Sequence, residues 1–514
     1  MAAAIGKNTI FGIVASTVQV VTRFVMVPVV IYHLGLGGYG IWSIVMATAG
    51  YMRFGSAGLK SAFQKYVAEA TGNGDFETAN KLLSTGSISM LAVSVIGLIP
   101  IAIFSQSLAR LSGVPPEFLK SAAGAITLLA LIMVIANFGA AFEAIVMGAH
   151  RIDLTRTFNI VTTVAEAVAI IALLHFGGGL FAMAMTMAIS ELIYVFCCFL
   201  ASRRVVPEIR IRIAYFKTNV FGELIRFAGS YQLVNILEVL YSMLLPVIML
   251  KYFGAEIAGV YAVATRLVTA VLMGQDALIL PLLSAGTLMF ASGTPQRLAR
   301  FFKKSFKITA AVTLGPLAFV GAFGGLLVFA WTGQTSSQFG VAIWLTCLSS
   351  FFNSISRLQL VLYRASGNAL HDNIRQAFRL LALGVLAVLG KSAGFEGVLA
   401  SLCVVEFLGV VYMFFAMTST LRFFRPSNLL SDTLRLIGAA AIVIVAGTAV
   451  SIFVTPAGPL TRENVVVRLG EIVLTCLIAS WPAAVLTKSI SAAERRMLID
   501  LLTPWRKVAV GFCE

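Results

Sequence analysis

The sequence has little charge. Of its 514 residues, 38 are Lys or Arg and 22 are Asp or Glu, so charged residues make up 12% of the chain, about half the share usual in soluble domains. Hydrophobic residues make up 59%, and the mean hydropathy is +0.94. No soluble domain could bury that much apolar surface, so the composition excludes a soluble globular protein and predicts an integral membrane protein.

Cysteine and histidine are also scarce, with 6 and 4 residues respectively. Neither set has metal-ligand spacing or a pairing typical of nucleophilic catalysis. We therefore expect no disulfide framework, no metal, no cofactor and no enzymatic activity. The residues are Cys197, Cys198, Cys347, Cys403, Cys476, Cys513, His33, His150, His175 and His371.

Long apolar stretches take up most of the chain. A bilayer core about 30 Å thick needs about 20 residues per helix, which gives roughly fourteen crossings joined by short loops. The first stretch is too long for a signal-peptide core and reads as an uncleaved span. We place the spans near 8–31, 38–58, 82–106, 122–147, 155–175, 179–201, 224–250, 256–284, 308–331, 338–363, 374–390, 397–418, 436–455 and 469–487.

The distribution of basic residues predicts the orientation, because cytoplasmic loops retain Lys and Arg. With both termini inside, only 6 of the 38 basic residues lie in outer loops. Arg375 and Arg379 count as cytoplasmic in this assignment, since they lie at the inner end of their span. The six outer residues are Arg110, Lys120, Lys251, Lys391, Arg462 and Arg468.

Two loops, 203–217 and 297–307, carry the densest basic charge and contribute much of the net +16. In a soluble protein such charge would suggest nucleic acid. Beside membrane spans, topology and attraction to anionic lipid headgroups explain it. We expect membrane lipids as partners and no nucleic-acid binding.

An internal repeat predicts the architecture. Pro28, Gly35 and Gly40 recur as Pro246, Gly254 and Gly259, with matching apolar neighbours. The offset equals six spans, and an even number gives both halves the same orientation, as in transporters built from parallel repeats.

The predicted fold is therefore an all-α polytopic membrane protein with about fourteen transmembrane helices. Two six-helix lobes are related by a parallel pseudo-two-fold repeat, and two C-terminal helices follow. The expected bounds are 1–201 for the N-lobe with spans 1–6, 202–222 for a cytoplasmic linker, 223–420 for the C-lobe with spans 7–12, and 421–514 for accessory spans 13–14 and a cytoplasmic tail.

Five arginines lie inside the apolar stretches. A cation near mid-helix costs about 2.5–3.5 kcal/mol even on the lenient insertion scale. Several of them imply a polar interior that serves an anionic cargo. Arg226 lies near the inner end of its span, where it can reach the interface. The predicted substrate-binding cations are the other four, Arg23, Arg53, Arg266 and Arg357.

Polar residues at helical spacing accompany these arginines and predict a lined cavity. The polar cavity residues are Gln19, Asn235 and Asn353, and Glu238 and Asp276 are candidates for coupling to a proton or sodium ion. The alternative is that each arginine pairs with a carboxylate and only holds helices together. The carboxylates at membrane depth are Glu143, Glu166, Glu191, Glu238, Asp276 and Glu406.

The run from His33 to Ser43, HLGLGGYGIWS, continues through Gly58-Leu59 to Phe63-Gln64-Lys65-Tyr66-Val67-Ala68-Glu69. It resembles the start of the polysaccharide exporters of the multidrug/oligosaccharidyl-lipid/polysaccharide (MOP) superfamily, which includes O-antigen and lipid II flippases. The LG-x-x-x-YG-x-W pattern is the most specific part. Ser56 or Ala57 stands where family members often carry Asp, so no ion-coupling role is carried over to this position.

The resemblance implies a flippase that moves a polyisoprenyl-diphosphate-linked oligosaccharide, or another lipid-linked envelope precursor, across the bacterial cytoplasmic membrane by alternating access. It also implies glycan assembly machinery as a partner, and the related lipid II flippases carry arginines on spans 1, 2 and 8. Guanidinium groups suit phosphate oxygens. Two alternatives are a cation-coupled multidrug antiporter, which would expose an acidic cavity, and a membrane polymerase or ligase, which would need a long outer catalytic loop.

Overall fold

The computed structural model describes residues 2–50, 57–292, 295–365, 370–420, 427–453 and 461–489. Within these ranges the chain forms thirteen α-helices and two short 3-10 turns, and no β-strand. The helices are α1 Ala2–Gly50, α2 Ala57–Asn73, α3 Phe76–Leu111, α4 Pro116–Gly148, α5 Ile152–His175, α6 Leu180–Val205, α7 Thr218–Ser292, α8 Pro295–Thr332, α9 Ser337–Ala365, α10 Leu370–Gly390, α11 Gly394–Thr420, α12 Ser427–Phe453 and α13 Arg462–Leu486.

Local signals fix several helix starts. The Asp75 carboxylate accepts a hydrogen bond from the Thr78 N–H at 3.1 Å and caps α3. At the start of α4, Pro116 occupies the first turn, where its missing N–H leaves no donor unpaired. These starts lie within several residues of the sequence-based boundaries.

Eleven helical segments among the described residues are long and apolar enough to cross a membrane. Three of them, Val14–Thr48, Leu237–Asp276 and Leu370–Thr418, each overlap two of the predicted spans. Each of the fourteen predicted spans therefore overlaps one of the eleven segments. The prediction of an all-α polytopic membrane protein is confirmed.

Glycine accounts for the three places where two predicted spans share one segment. Gly35 in α1 has φ 71° and ψ 170°, and Gly254 in α7 has φ 86° and ψ 175°. Gly394, after a 3-10 turn, has φ 78° and ψ −171°. Only glycine adopts this region readily, so a glycine breaks the helix at each of these three places, where loops were predicted.

The two repeats meet at their glycines. A Cβ placed on Gly40 would lie 2.6 Å from the Gly259 nitrogen and would also overlap the Ala255 carbonyl oxygen. A Cβ on Gly259 would overlap the Leu36 carbonyl oxygen. Leu36 and Gly40 are the repeat partners of Ala255 and Gly259, so the contact is reciprocal.

The chain divides into two compact units. Unit 1 comprises Met1–Arg266 and Ala369–Val405, and unit 2 comprises Leu267–Asn368 and Glu406–Glu514. The core of unit 1 includes Phe63, Leu83 and Ile145, from α2, α3 and α4. In unit 2, one cluster joins α8, α9 and α11 through Phe306, Leu358 and Met417, and another joins α8 to α13 through Phe323 and Ile472. The predicted lobe, linker and accessory bounds stay a prediction.

Candidate functional site

Arg23 lies on α1 with an exposed side chain, inside a helix apolar enough to span a membrane. One turn earlier, Gln19 donates from Nε2 to Asn159 Oδ1 on α5 at 2.6 Å. Gln19 therefore joins two helices of unit 1, a role the sequence pattern did not reveal. Its predicted contact with cargo stays a prediction.

Arg266 lies on α7 and is also exposed. Its guanidinium hydrogen-bonds to the hydroxyl of Tyr39, which is only 6% exposed. Tyr39 is the tyrosine of the LG-x-x-x-YG-x-W pattern and precedes Gly40. The motif thus supplies both the close approach of the repeats and an acceptor for a cation, and the second role has no signal in the sequence.

Arg23 and Arg266 lie equally far from the glycine breaks of their helices. Twelve positions separate Arg23 from the break at Gly35, and twelve separate the break at Gly254 from Arg266. At 1.5 Å per residue, each arginine lies about 18 Å along its helix from its break. The segments that follow the two breaks pack together at Gly40 and Gly259, so the breaks occupy equivalent places in the repeat.

Arg357 and Asp276 form an ion pair in unit 2. Arg357 Nη2 on α9 lies 2.6 Å from Asp276 Oδ1 on α7, and the side chains are 35% and 51% exposed. Beside them Gln275, 1% exposed, donates from Nε2 to the Ser354 carbonyl oxygen at 3.0 Å. For this pair the structure shows the charge pairing that the sequence analysis gave as the alternative.

The remaining predicted residues are placed only in part. Glu238 is exposed on α7, and Asn353 is partly buried on α9, one turn before Arg357. Arg53 lies outside the described residues. Arg226 and Asn235 lie on α7, and their side chains are outside the described part. The roles predicted for all of them stay predictions.

A buried polar cluster in unit 1 was missed by sequence reasoning. Arg375 and Arg379 are 1% and 3% exposed, although the sequence analysis counted them only as basic residues at an inner helix end. Arg379 donates from Nη1 to Gln376 Oε1 at 2.7 Å. Its Cζ lies 4.0 Å from the centroid of the Tyr241 ring on α7. The signal was available, because Asp372, Arg375, Gln376 and Arg379 share one face of α10 at i, i+3, i+4 and i+7.

Two surface clefts coincide with none of the predicted residues. One, of about 540 Å³, lies between α3 and α4 and includes Lys120 and Gln106. The other, of about 460 Å³, is lined by residues 325–339. Neither supports a site at the arginines.

The fold is that of membrane transporters of the MOP superfamily. The structure of the lipid II flippase MurJ in an inward closed conformation matches with a TM-score of 0.67 and 14% identity, over 93% of this chain and 99% of that one. An inward-facing MATE family multidrug resistance transporter matches with a TM-score of 0.63 and 16% identity, over 78% and 95%. A MOP superfamily transporter from Pyrococcus furiosus matches with a TM-score of 0.60 and 16% identity, over 82% and 95%.

Residues 77–338, just over half of the chain, match the family described as "Polysaccharide biosynthesis protein", and the chain belongs to that family. A relative from Bacillus subtilis (strain 168), the uncharacterized membrane protein EpsK, is 20% identical over 317 residues. That match covers 61% of this chain and 62% of the relative, less than two thirds of its length. The predicted relation to polysaccharide proteins is confirmed, and the family match lies beyond the motif residues 33–69 that first indicated it.

Proposed function

We propose that this protein is a flippase that moves a polyisoprenyl-diphosphate-linked oligosaccharide, or a related lipid-linked envelope precursor, across the bacterial cytoplasmic membrane. The observation that carries the proposal is the pair of exposed arginines of unit 1, Arg23 and Arg266, which lie equally far from the glycine breaks of their helices. Membership of the polysaccharide biosynthesis family supports a glycan cargo. The fold supports transport by alternating access rather than enzymatic chemistry.

The proposed role of Arg23, Arg53 and Arg266 is to compensate the charge of the diphosphate while it is away from water. A guanidinium group offers fixed charge and forked donors that match phosphate oxygens. The interaction of Arg266 with the Tyr39 hydroxyl supports this role, because it orients the guanidinium. The sugar would meet amide groups such as Asn235 and Asn353.

Arg357 has a different role in the proposal. Because Asp276 offsets its charge at 2.6 Å, it offers less net attraction to an anion than an unpaired arginine would. Asp276 could take up a proton or sodium ion only if the pair opened. This coupling is one option, and the exposed Glu238 is the other.

We further propose the orientation predicted by the basic residues, with both termini cytoplasmic, and the division into two six-helix lobes with an accessory pair. The reciprocal contact of Gly40 and Gly259 supports the repeat that underlies the lobes. Glycosyltransferases and other glycan assembly proteins are the proposed partners.

The test is complementation of strains that lack a defined flippase, with analysis of the lipid-linked species that accumulates. We expect Arg23→Ala, Arg53→Ala and Arg266→Ala to abolish glycan export while membrane abundance stays normal. Arg226→Ala is the matched control, since this arginine also lies in an apolar stretch but is predicted to reach the interface. Normal export from all three variants would overturn the cationic cavity.

A multidrug antiporter is the second candidate, favoured by the likeness to MATE transporters. It predicts efflux of cationic dyes, and resistance that depends on a proton or sodium gradient. Dye efflux without rescue of glycan export would favour it over the flippase.

A further inference from the structure

The segment that joins α6 to α7 is held against α3 along its length. We call residues 206–217 the strap. The side chain of Asn80 on α3 bonds to the strap backbone twice, donating from Nδ2 to the Glu208 carbonyl oxygen at 3.1 Å and accepting from the Arg210 N–H at 2.6 Å. This amide therefore pairs with the strap as a neighbouring strand would.

The next turn of α3 continues these bonds. Ser84 Oγ accepts from the Arg212 N–H at 3.1 Å, and Thr85 Oγ1 accepts from the Lys217 N–H at 3.0 Å. Ser84 and Thr85 are fully buried, and Asn80 is 7% exposed. Three buried side chains thus satisfy strap backbone groups that water would otherwise solvate.

Apolar contacts anchor the inner face of the strap. Val206 and Ile209 are each 3% exposed and lie in the cluster that contains Phe63, Leu83 and Ile145. These residues of the predicted cytoplasmic linker therefore pack into the core of unit 1.

The outer face of the strap is basic. Arg210 folds back and donates from Nε to the Pro207 carbonyl oxygen at 3.3 Å. Glu208 is the only acidic residue between positions 203 and 217. Within the described part of the chain, Arg204, Arg212 and Lys217 form no ion pair. The exposed cations are Arg203, Arg204, Arg210, Arg212 and Lys217.

An exposed apolar tip accompanies these charges. Ile213 begins the 3-10 turn Ile213–Tyr215 and is 83% exposed. The strap follows directly on α6, whose apolar stripe of Leu192, Phe196 and Leu200 is 44%, 58% and 42% exposed and faces outward. The apolar stripe of α6 suits contact with lipid tails. The cations and Ile213 follow at the end of this helix, where the lipid headgroups lie.

We propose that the strap is a binding site for the phosphate groups of anionic phospholipids in the adjoining leaflet, the predicted cytoplasmic one. Its cations contact the phosphates, and Ile213 inserts among the headgroups. Asn80, Ser84 and Thr85 are positioning residues that hold the cations in one array. The site does not depend on the cargo proposed for the transporter.

The test measures lipid retained by the purified full-length protein in detergent, by native mass spectrometry, after addition of equal amounts of phosphatidylglycerol and phosphatidylcholine. We expect preferential binding of phosphatidylglycerol that weakens as salt is raised. Neutralisation of three cations by Arg210→Gln, Arg212→Gln and Lys217→Gln should reduce this preference at least about ten-fold, since each cation near a membrane surface contributes on the order of five-fold.

Two further variants separate charge from position. The triple variant Arg297→Gln, Lys303→Gln and Lys304→Gln removes equal charge from the other basic segment and should leave most of the preference intact. Asn80→Ala with Ser84→Ala keeps every cation and should still weaken binding several-fold. Circular dichroism and size-exclusion chromatography check that each variant is folded.

Three outcomes would overturn the proposal. They are equal retention of the two lipids by the wild-type protein, an equal loss in both triple variants, and complete displacement of phosphatidylglycerol when a polyprenyl diphosphate is added to the same sample. The last outcome would assign the strap to the transported lipid, whether or not export itself is confirmed.

Discussion

Gly40 of α1 and Gly259 of α7 pack backbone against backbone at equivalent positions of the internal repeat. A Cβ on Gly40 would come within 2.6 Å of the Gly259 nitrogen, closer than real side chains approach. Main-chain atoms cannot yield as a flexible side chain can. The contact therefore fixes how closely the two halves of the repeat approach each other within unit 1.

We expect Gly40→Ala and Gly259→Ala each to destabilise the protein, because overpacking of this kind costs about 1–3 kcal/mol. Thermal unfolding followed by fluorescence-detected size-exclusion chromatography measures the effect. Gly12→Ala is the control in the same helix, since a Cβ there meets nothing within 4 Å. A melting temperature unchanged by both contact substitutions would contradict the prediction.

Gly35 and Gly254 give a prediction of a different kind. A Cβ at either position meets nothing within 4 Å, but their φ values of 71° and 86° are unfavourable for other residues. Gly35→Ala and Gly254→Ala should therefore cost about 1–3 kcal/mol through backbone strain alone. The melting temperature should fall by similar amounts in the two variants, as expected of equivalent positions.

Gly35→Asn provides the internal check, because asparagine tolerates positive φ mainly at ψ of about 30–60°, whereas Gly35 has ψ 170°. It should therefore be about as destabilising as Gly35→Ala. An unchanged melting temperature with alanine at both positions would contradict the prediction that backbone strain explains these glycines.

These glycines also show what the sequence could and could not predict. The repeat of Gly35 and Gly40 as Gly254 and Gly259 was predictable, because the spacing of residues is read directly from the sequence. The replacement of a loop by a single glycine was not visible, since hydropathy detects apolar length and cannot distinguish a short loop from a sharp kink.

Side-chain partners were harder to predict. Arg357 and Asp276 stood out in the sequence because they are charged residues inside apolar stretches. Their pairing was not predictable, because it depends on the distance between α7 and α9. The bonds from Asn80 to the strap have no sequence signal, because they join a side chain to main-chain groups about 130 residues away. The burial of Arg375 and Arg379 was not predicted, because a basic residue near a helix end usually reaches water.

Tyr39→Phe tests whether the Arg266 guanidinium is oriented for its role. The substitution removes one hydrogen bond to a charged group, which contributes about 1.5–3 kcal/mol, and keeps the buried ring. We expect glycan export to fall by roughly ten-fold, the lower end of that range, with normal membrane abundance. Export by Arg266→Ala should be lost altogether, and Tyr39→Phe should add nothing to that loss.

The stacking of Arg379 on Tyr241 should matter for stability. A desolvated cation–π contact contributes about 2 kcal/mol or more, so Tyr241→Leu should lower the melting temperature clearly. Tyr241→Phe keeps an aromatic face and should be nearly neutral. A large loss with Tyr241→Phe would instead indicate that the tyrosine hydroxyl is the important group.

Substitutions in the ion pair of Arg357 and Asp276 distinguish a structural role of the pair from a role in transport. Because the side chains are 35% and 51% exposed, a double-mutant cycle on thermal stability should give a coupling of only about 0.2–1 kcal/mol. If the pair acts mainly by charge pairing, Arg357→Asp with Asp276→Arg should restore the export lost in each single variant. If Asp276 takes up the coupling ion, the exchanged protein should stay folded and fail to export, since an arginine at position 276 binds no proton or sodium ion. Export assays in the single and double variants, normalised to membrane abundance, distinguish these outcomes.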